Sequence, residues 1–189
     1  MGRLRVYPTI ALIISFLVFA CGNSKLLFKA NSSTWIQKGN AQWQFTNNEI
    51  VGSVNKGAGF VMTKLPYQDF ELELEFFPDP TVNSGIFIRC KDYALSYTDC
   101  YEINIWDDHP KQKDRTGAIV SRSSPHAQVQ TIDQWNTYKI RCENNHIQAW
   151  INDIKVADLK NDELKKGYIG LQAAETGTVK FRNVRLRAL

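Results

Sequence analysis

The 189-residue chain predicts an all-β fold, an antiparallel sandwich, on three observations. About a dozen short runs alternate between apolar and polar residues or are rich in β-branched ones, the signature of strands. Asn, Asp, Pro and Gly clusters separate them, as at Pro78-Asp79-Pro80, Asn144-Asn145 and Asn152-Asp153. No long segment holds a 3.6-residue apolar period; only 159–166 suggests a short helical turn. With 43% hydrophobic and 12% aromatic residues the chain has enough apolar surface for one folded domain.

The N-terminus precedes this pattern. Arg3 and Arg5 are followed by an apolar run, residues 10–20, that is long enough for an export signal and too short for a membrane span. It ends in Val18-Phe19-Ala20-Cys21, which resembles a bacterial lipobox, in which a small residue precedes the cysteine that becomes lipidated. The expected organisation is a signal peptide over 1–20, a lipid-bearing Cys21 with a polar tether over 21–25, and one domain over 26–189. The expected location is the bacterial cell envelope, periplasmic or outer-membrane, with contact to the membrane through the lipid anchor only. Gly22, rather than Asp, follows the cysteine, so nothing argues for retention at an inner membrane. A net charge of +4 without a basic stripe argues against nucleic acid as a partner.

The expected strands are 43–45, 49–52, 59–62, 69–77, 85–90, 101–106, 117–120, 137–143, 146–151, 154–159, 167–173 and 179–187. In 70–76 the apolar residues point one way and Glu71, Glu73 and Glu75 the other, a solvated outer face. Asn152-Asp153 is the tip of a hairpin, where both residues tolerate positive φ. Beyond Cys21 the cysteines are Cys90, Cys100 and Cys142, an odd number, so at most one internal pair forms. Cys90 and Cys100 are nearest in sequence and would close a small loop; whether they pair stays open. No Cys/His spacing suggests zinc.

Two strands carry polar residues of interest. In 83–90, alternation sets Ile86, Ile88 and Cys90 on one face and Phe87 and Arg89 on the other. In 101–106, Glu102, Asn104 and Trp106 face away from Tyr101, Ile103 and Ile105. Arginine, carboxylate, amide and aromatic rings on one face are the components of a sugar site, in which rings stack on the pyranose and polar groups fix its hydroxyls. The same residues also suit a cross-strand ion pair on a solvated sheet.

Asn83-Ser84-Gly85-Ile86-Phe87-Ile88-Arg89, Tyr101-Glu102-Ile103-Asn104-Ile105 with Asp107 behind it, Thr116-Gly117-Ala118-Ile119, Gln134-Trp135-Asn136-Thr137-Tyr138 and Trp150-Ile151-Asn152 occur in that order. With Asp69-Phe70-Glu71-Leu72, residues 167–172 and 181–184, they resemble the bacterial 3-keto-disaccharide hydrolase family, also described as 3-keto-glucoside lyases or hydratases. The resemblance implies a concanavalin-A-like jelly roll of two curved antiparallel sheets with a sugar cleft on the concave side. It also implies an enzyme acting on 3-keto-glycosides. Such an enzyme removes the C2 proton that the C3 ketone acidifies, expels the C1 substituent and can add water to the enone. On that reading Glu102 is the base, Arg89 stabilises the enolate, and Asp107 or His109 supplies the acid. Asn83, Phe87, Asn104, Trp106, Trp135 and Trp150 are the candidate substrate contacts. No cofactor is certain and no metal constellation is legible; a divalent metal stays open as an alternative, to which Glu102, Asp107 and His109 could contribute ligands.

Two other readings stand beside this one. A carbohydrate-binding module without catalysis would use the same cleft. A lichenase-type hydrolase would need paired carboxylates at Glu102, position 104 and Asp107, but position 104 is Asn.

Overall fold

The computed structural model describes residues 25–27, 35–46, 49–94 and 96–189. The expected export signal, Cys21 and the expected turn at Asn47-Asn48 lie outside them. Thirteen strands are present among the described residues: β1 Lys25–Leu26, β2 Trp35–Gly39, β3 Gln42–Phe45, β4 Ile50–Val54, β5 Ala58–Thr63, β6 Phe70–Pro78, β7 Val82–Cys90, β8 Tyr101–Ile105, β9 Asn136–Glu143, β10 His146–Ile151, β11 Ile154–Lys160, β12 Tyr168–Glu175 and β13 Gly177–Ala188. All pair antiparallel, in two sheets. The eight-stranded sheet runs β11-β10-β9-β6-β13-β4-β3 with β1 against β13; the five-stranded sheet runs β2-β5-β12-β7-β8.

Period-two alternation builds the core between them. Phe70, Leu72, Leu74 and Phe76 of β6 and Tyr138, Ile140 and Cys142 of β9 meet Val61, Ile86, Ile88, Ile103 and Leu171 from the other sheet. The outward row Glu71, Glu73 and Glu75 is not merely solvated. Glu71 is buried under Lys139, Arg141 and Arg187, and Glu75 pairs with Arg182. The β10–β11 hairpin turns through Asn152 (φ 48°) and Asp153 (φ 65°), the positive-φ pair expected there.

Three expectations change. Residues 117–120 form no strand: Ile119 makes isolated bridges to Ile103 and Ser123, and the segment passes along the edge of β8. Residues 159–166 form no helical turn, because β11 continues to Lys160 and the loop beyond is held by Tyr101, whose hydroxyl donates to Asn161 and accepts from the Leu164 amide. The remaining departure is at Arg89.

Arg89 sits at φ 53°, in a bulge where the β7–β12 register slips between Tyr168 and Gly170. The bulge inverts the alternation: Arg89 turns inward and is fully buried, while Cys90 comes to the outer side. The guanidinium donates to the Gln68 carbonyl from Nε (3.0 Å) and Nη2 (2.8 Å), to the Leu164 carbonyl from Nη1 (3.1 Å) and to Asp69 Oδ1 from Nη2 (3.1 Å). Gly167 packs flat against this bulge. A Cβ there would lie 2.2 Å from the Cys90 carbonyl oxygen, so the position excludes any side chain. Cys90 is thereby free to pair with Cys100 on the outer side, and Cys142 stays free and buried. Arg89→Met leaves a carboxylate and two carbonyls without their donor. The variant is expected to lose roughly 3 kcal/mol of stability in urea denaturation; an unchanged midpoint would remove Arg89 from this role.

Candidate functional site

The outer face of the five-stranded sheet carries the residues that can meet a ligand. Register aligns them in rows. Gly85 lies opposite Asn104 on one side and Gln172 on the other, and Gln172 lies opposite Phe60. The next row is Met62, Gly170, Phe87 and Glu102. Gly85 therefore sets no side chain between Asn104 and Gln172, and Glu102 and Phe87 pack over it. A Cβ built on Gly85 would lie 3.4 Å from Glu102 Cγ and Oε1 and 3.4 Å from the Phe87 ring.

Glu102 is half-buried, and its carboxylate makes no hydrogen bond to the described residues. Loss of water, and then the nearby charge of Asp114, push its pKa up from 4.5 to about 7. Asp114 closes a 3-10 turn, Gln112–Asp114, in the tract after β8. Asn104 holds that turn in place: its Nδ2 donates to the Asp114 carbonyl, and its Oδ1 accepts from the Ile105 amide. Asn104 is buried with its amide committed, so it positions Asp114 rather than contacting a ligand.

The structure separates the other residues singled out from the sequence. Arg89 points into the sandwich and cannot stabilise an enolate on the outer face. Asp107 lies beyond the end of β8, in the turn that follows it. Its carboxylate is buried and accepts from the Thr131 amide (2.6 Å) and hydroxyl (2.9 Å), so it anchors a loop and is no free acid. Trp106 follows the last residue of β8, four residues and about 13 Å along the chain from Glu102. His109 packs edge-on against it at 4.5 Å and accepts the Lys111 amide at Nδ1. Glu102, Asp107 and His109 thus do not converge as metal ligands, and no cluster of three or more metal-binding side chains is found among the described residues. The same separation removes the carboxylate pair of a lichenase-type site.

Phe87 is no stacking platform. It is 2% exposed, in a small outer cluster with Met62, Cys90 and Cys100, with Tyr93 and Tyr168 packed against it. Trp135 and Trp150 belong to the other sheet's outer side: Arg182 stacks on Trp135 at 3.9 Å, and Lys155 lies 5.6 Å from Trp150. Asn83 is half-exposed on the same face as Gly85, but it is four residues from Phe87, the cross-strand partner of Glu102, and so about 13 Å further along the sheet. The sequence reading passed over Asp114, in a tract without strand pattern, and Gln172, visible only as the end of the 167–172 motif. A cavity of about 380 Å3 on the opposite face is lined by Glu73, Glu75, Lys139 and Arg185 among others. Glu75 is held there by Arg182 and Asn183, so this face is an ion-pair ladder.

The solved structures of similar shape place the chain in a class of carbohydrate-related jelly rolls. Two are Parabacteroides distasonis proteins described as glycosyl hydrolases. One is 26% identical, with a TM-score of 0.75, over 89% of this chain and 100% of that one. The other is 18% identical, with a TM-score of 0.76, over 88% and 94%. A third is the Bacillus subtilis carbohydrate-binding module CBM66, 17% identical, with a TM-score of 0.63, over 82% and 96%. A search of curated sequences gives no match. The chain belongs to the 3-keto-alpha-glucoside-1,2-lyase-like domain family, whose model matches residues 23–187.

The raised Glu102 pKa makes stability depend on pH. Below pH 4.5 the carboxyl is protonated in both folded and unfolded chains. Between 4.5 and about 7 the unfolded chain releases the proton while the folded one keeps it, so stability falls as pH rises, then levels off. In Glu102→Gln this component disappears. Denaturation midpoints of the two proteins, measured from pH 4 to 8, should diverge in the variant's favour as pH rises and run parallel above about 7; a constant difference would contradict the shift.

Proposed function

We propose that the chain cleaves 3-keto-glucosides, with Glu102 as the base. The observation that carries this reading is a partly desolvated carboxylate, free of hydrogen bonds and poised near neutrality, packed over Gly85 in a member of this family. A carboxylate with a pKa near 7 is a stronger base than one at its ordinary value and is still largely ionised in mildly alkaline solution. With a 3-keto ring seated over Gly85, Glu102 takes the C2 proton. The C2–H electron pair forms the C1–C2 double bond while the C1–O pair leaves with the aglycone oxygen, which is protonated to the alcohol. Addition of water across the resulting enone completes a net hydrolysis. Asp114, held by Asn104, raises the basicity of Glu102 through its charge and is assigned no proton of its own.

Glu102→Gln keeps the shape and removes the base. Activity on 3-keto-sucrose or 3-keto-trehalose should drop roughly 10²–10⁴-fold. Wild-type kcat/KM should rise with pH and level off above about 7, following ionisation of the base. Equal activity of the two proteins would exclude the role. A wild type that binds the sugars without consuming them would favour the binding-module reading, which the likeness to CBM66 keeps in view.

The protein is further proposed to be exported and anchored by lipid at Cys21, on the strength of the charged start, the short apolar run and Val18-Phe19-Ala20-Cys21. Cys21→Ser should move it from the membrane to the soluble fraction of expressing cells. Wild-type protein without lipid mass would overturn this.

A further inference from the structure

We infer that the outer face of the eight-stranded sheet carries a second glycan site, a groove along β6 in which Glu73 and Arg185 bind the hydroxyls of a neutral oligosaccharide. It lies on the opposite side of the molecule from Glu102 and does not depend on the chemistry proposed there.

The groove is two adjoining cavities. The one of about 380 Å3 shares Glu73, Lys139 and Arg185 with another of about 260 Å3. The first reaches the Glu75 row and the second the Glu71 row, so together they span three rows, about 13 Å along β6. Such a volume suits a small ligand. A bulge shapes one wall: β13 takes three steps from Arg182 to Arg185 while β6 takes two from Glu75 to Glu73, and Asn183, at φ 53°, lies in the extra step.

The ion-pair ladder on this face is closed at both ends of the groove and broken between them. Arg187 and Lys139 pair with Glu71, and Arg182 pairs with Glu75. In the middle row the register sets Arg185 opposite Glu73, yet the two form no ion pair, and Glu73 reaches only Lys139, at 3.8 Å. Among the described residues the exposed Arg185 guanidinium has no hydrogen-bond or ion-pair partner, and the exposed Glu73 carboxylate accepts no hydrogen bond. Asp153, at the tip of the β10–β11 hairpin, brings a further carboxylate to the larger cavity. Unspent acceptors beside an unspent donor repel anions and cations alike. They match a neutral ligand whose polar groups both donate and accept, as hydroxyls do. The rings expected of a sugar site are also on this face. Trp150 is the cross-strand neighbour of Lys139 in the middle row, and Trp135 lies two residues before Thr137, at the Glu75 end. Both are half-buried, and they offer apolar ring surface on which a pyranose can pack.

The test is calorimetric binding of maltotetraose, cellotetraose, laminaritetraose and mannotetraose to the wild-type protein, with tetragalacturonate as the anionic counterpart. At least one neutral tetrasaccharide should bind. Arg185→Ala and Glu73→Ala should each weaken that binding about tenfold, the equivalent of one hydrogen bond. Lys180→Ala, which removes a cation of the same strand outside both cavities, should leave it unchanged, and so should Glu102→Gln on the other sheet. Circular dichroism and urea midpoints of the Arg185 and Glu73 variants should match the wild type, because both side chains are exposed. Failure of all four neutral sugars to bind, affinity indifferent to Arg185 and Glu73, tighter binding of tetragalacturonate, or loss of binding in Glu102→Gln would overturn the inference. The Glu102 chemistry stands or falls separately, on turnover of 3-keto-glucosides.

Discussion

The buried guanidinium of Arg89 is the constraint on which the arrangement of this molecule depends. A charge inside a β-sandwich is tolerated only where it is nearly saturated with acceptors. Arg89 meets this by collecting the Gln68 and Leu164 carbonyls and the Asp69 carboxylate. These come from the start of β6 in the opposite sheet and from the loop between β11 and β12. One side chain thereby fastens both sheets and the closing loop at one end of the sandwich. Reaching them requires the left-handed backbone at Arg89, and Gly167 accommodates it by presenting bare backbone. The bulge then delivers Cys90 to the outer side, where the disulfide to Cys100 closes the loop above Met62 and Phe87.

That chain of consequences reaches the candidate site. Phe87, pinned beneath the loop, is the cross-strand neighbour of Glu102, so the carboxylate stands between a dry aromatic cluster and the backbone of Gly85. Its pKa rises because one side has been dehydrated and because Asp114 is carried close by the turn that Asn104 holds. Both effects cost stability above neutral pH. A raised carboxyl pKa is a destabilising feature in the folded state, the kind of local cost expected where chemistry is performed.

The sequence made the sandwich legible because period two survives almost everywhere. β6, β9 and β10 could be assigned faces residue by residue, and Glu102, Asn104 and Gly85 fell on the outer side as alternation required. Legibility ended where a single residue broke the period. Arg89 is not glycine, and nothing in Ile88-Arg89-Cys90 announces a left-handed residue; alternation carried through it exchanged the places of Arg89 and Cys90. The tryptophans failed for another reason. Trp135 and Trp150 were chosen for their chemistry, and residue type alone does not say to which of two opposite outer faces a ring belongs.

The cysteines connect this architecture to the compartment proposed for it. A loop closed by a disulfide beside a ligand face keeps its shape only where the bond persists and is not exchanged. Exchange requires a thiolate, and the one free thiol among the described residues is Cys142, fully buried on the inner face of β9. Burial pushes its pKa up to about 12, so almost none is ionised at neutral pH. It is also on the opposite side of the five-stranded sheet from the disulfide, with the core between them. An odd cysteine is ordinarily a liability in an exported protein, because it can attack a neighbouring bond. Here the fold removes the hazard by the same alternation that builds the core. The Cys90–Cys100 bond is thus left as a stable border to the Glu102 face.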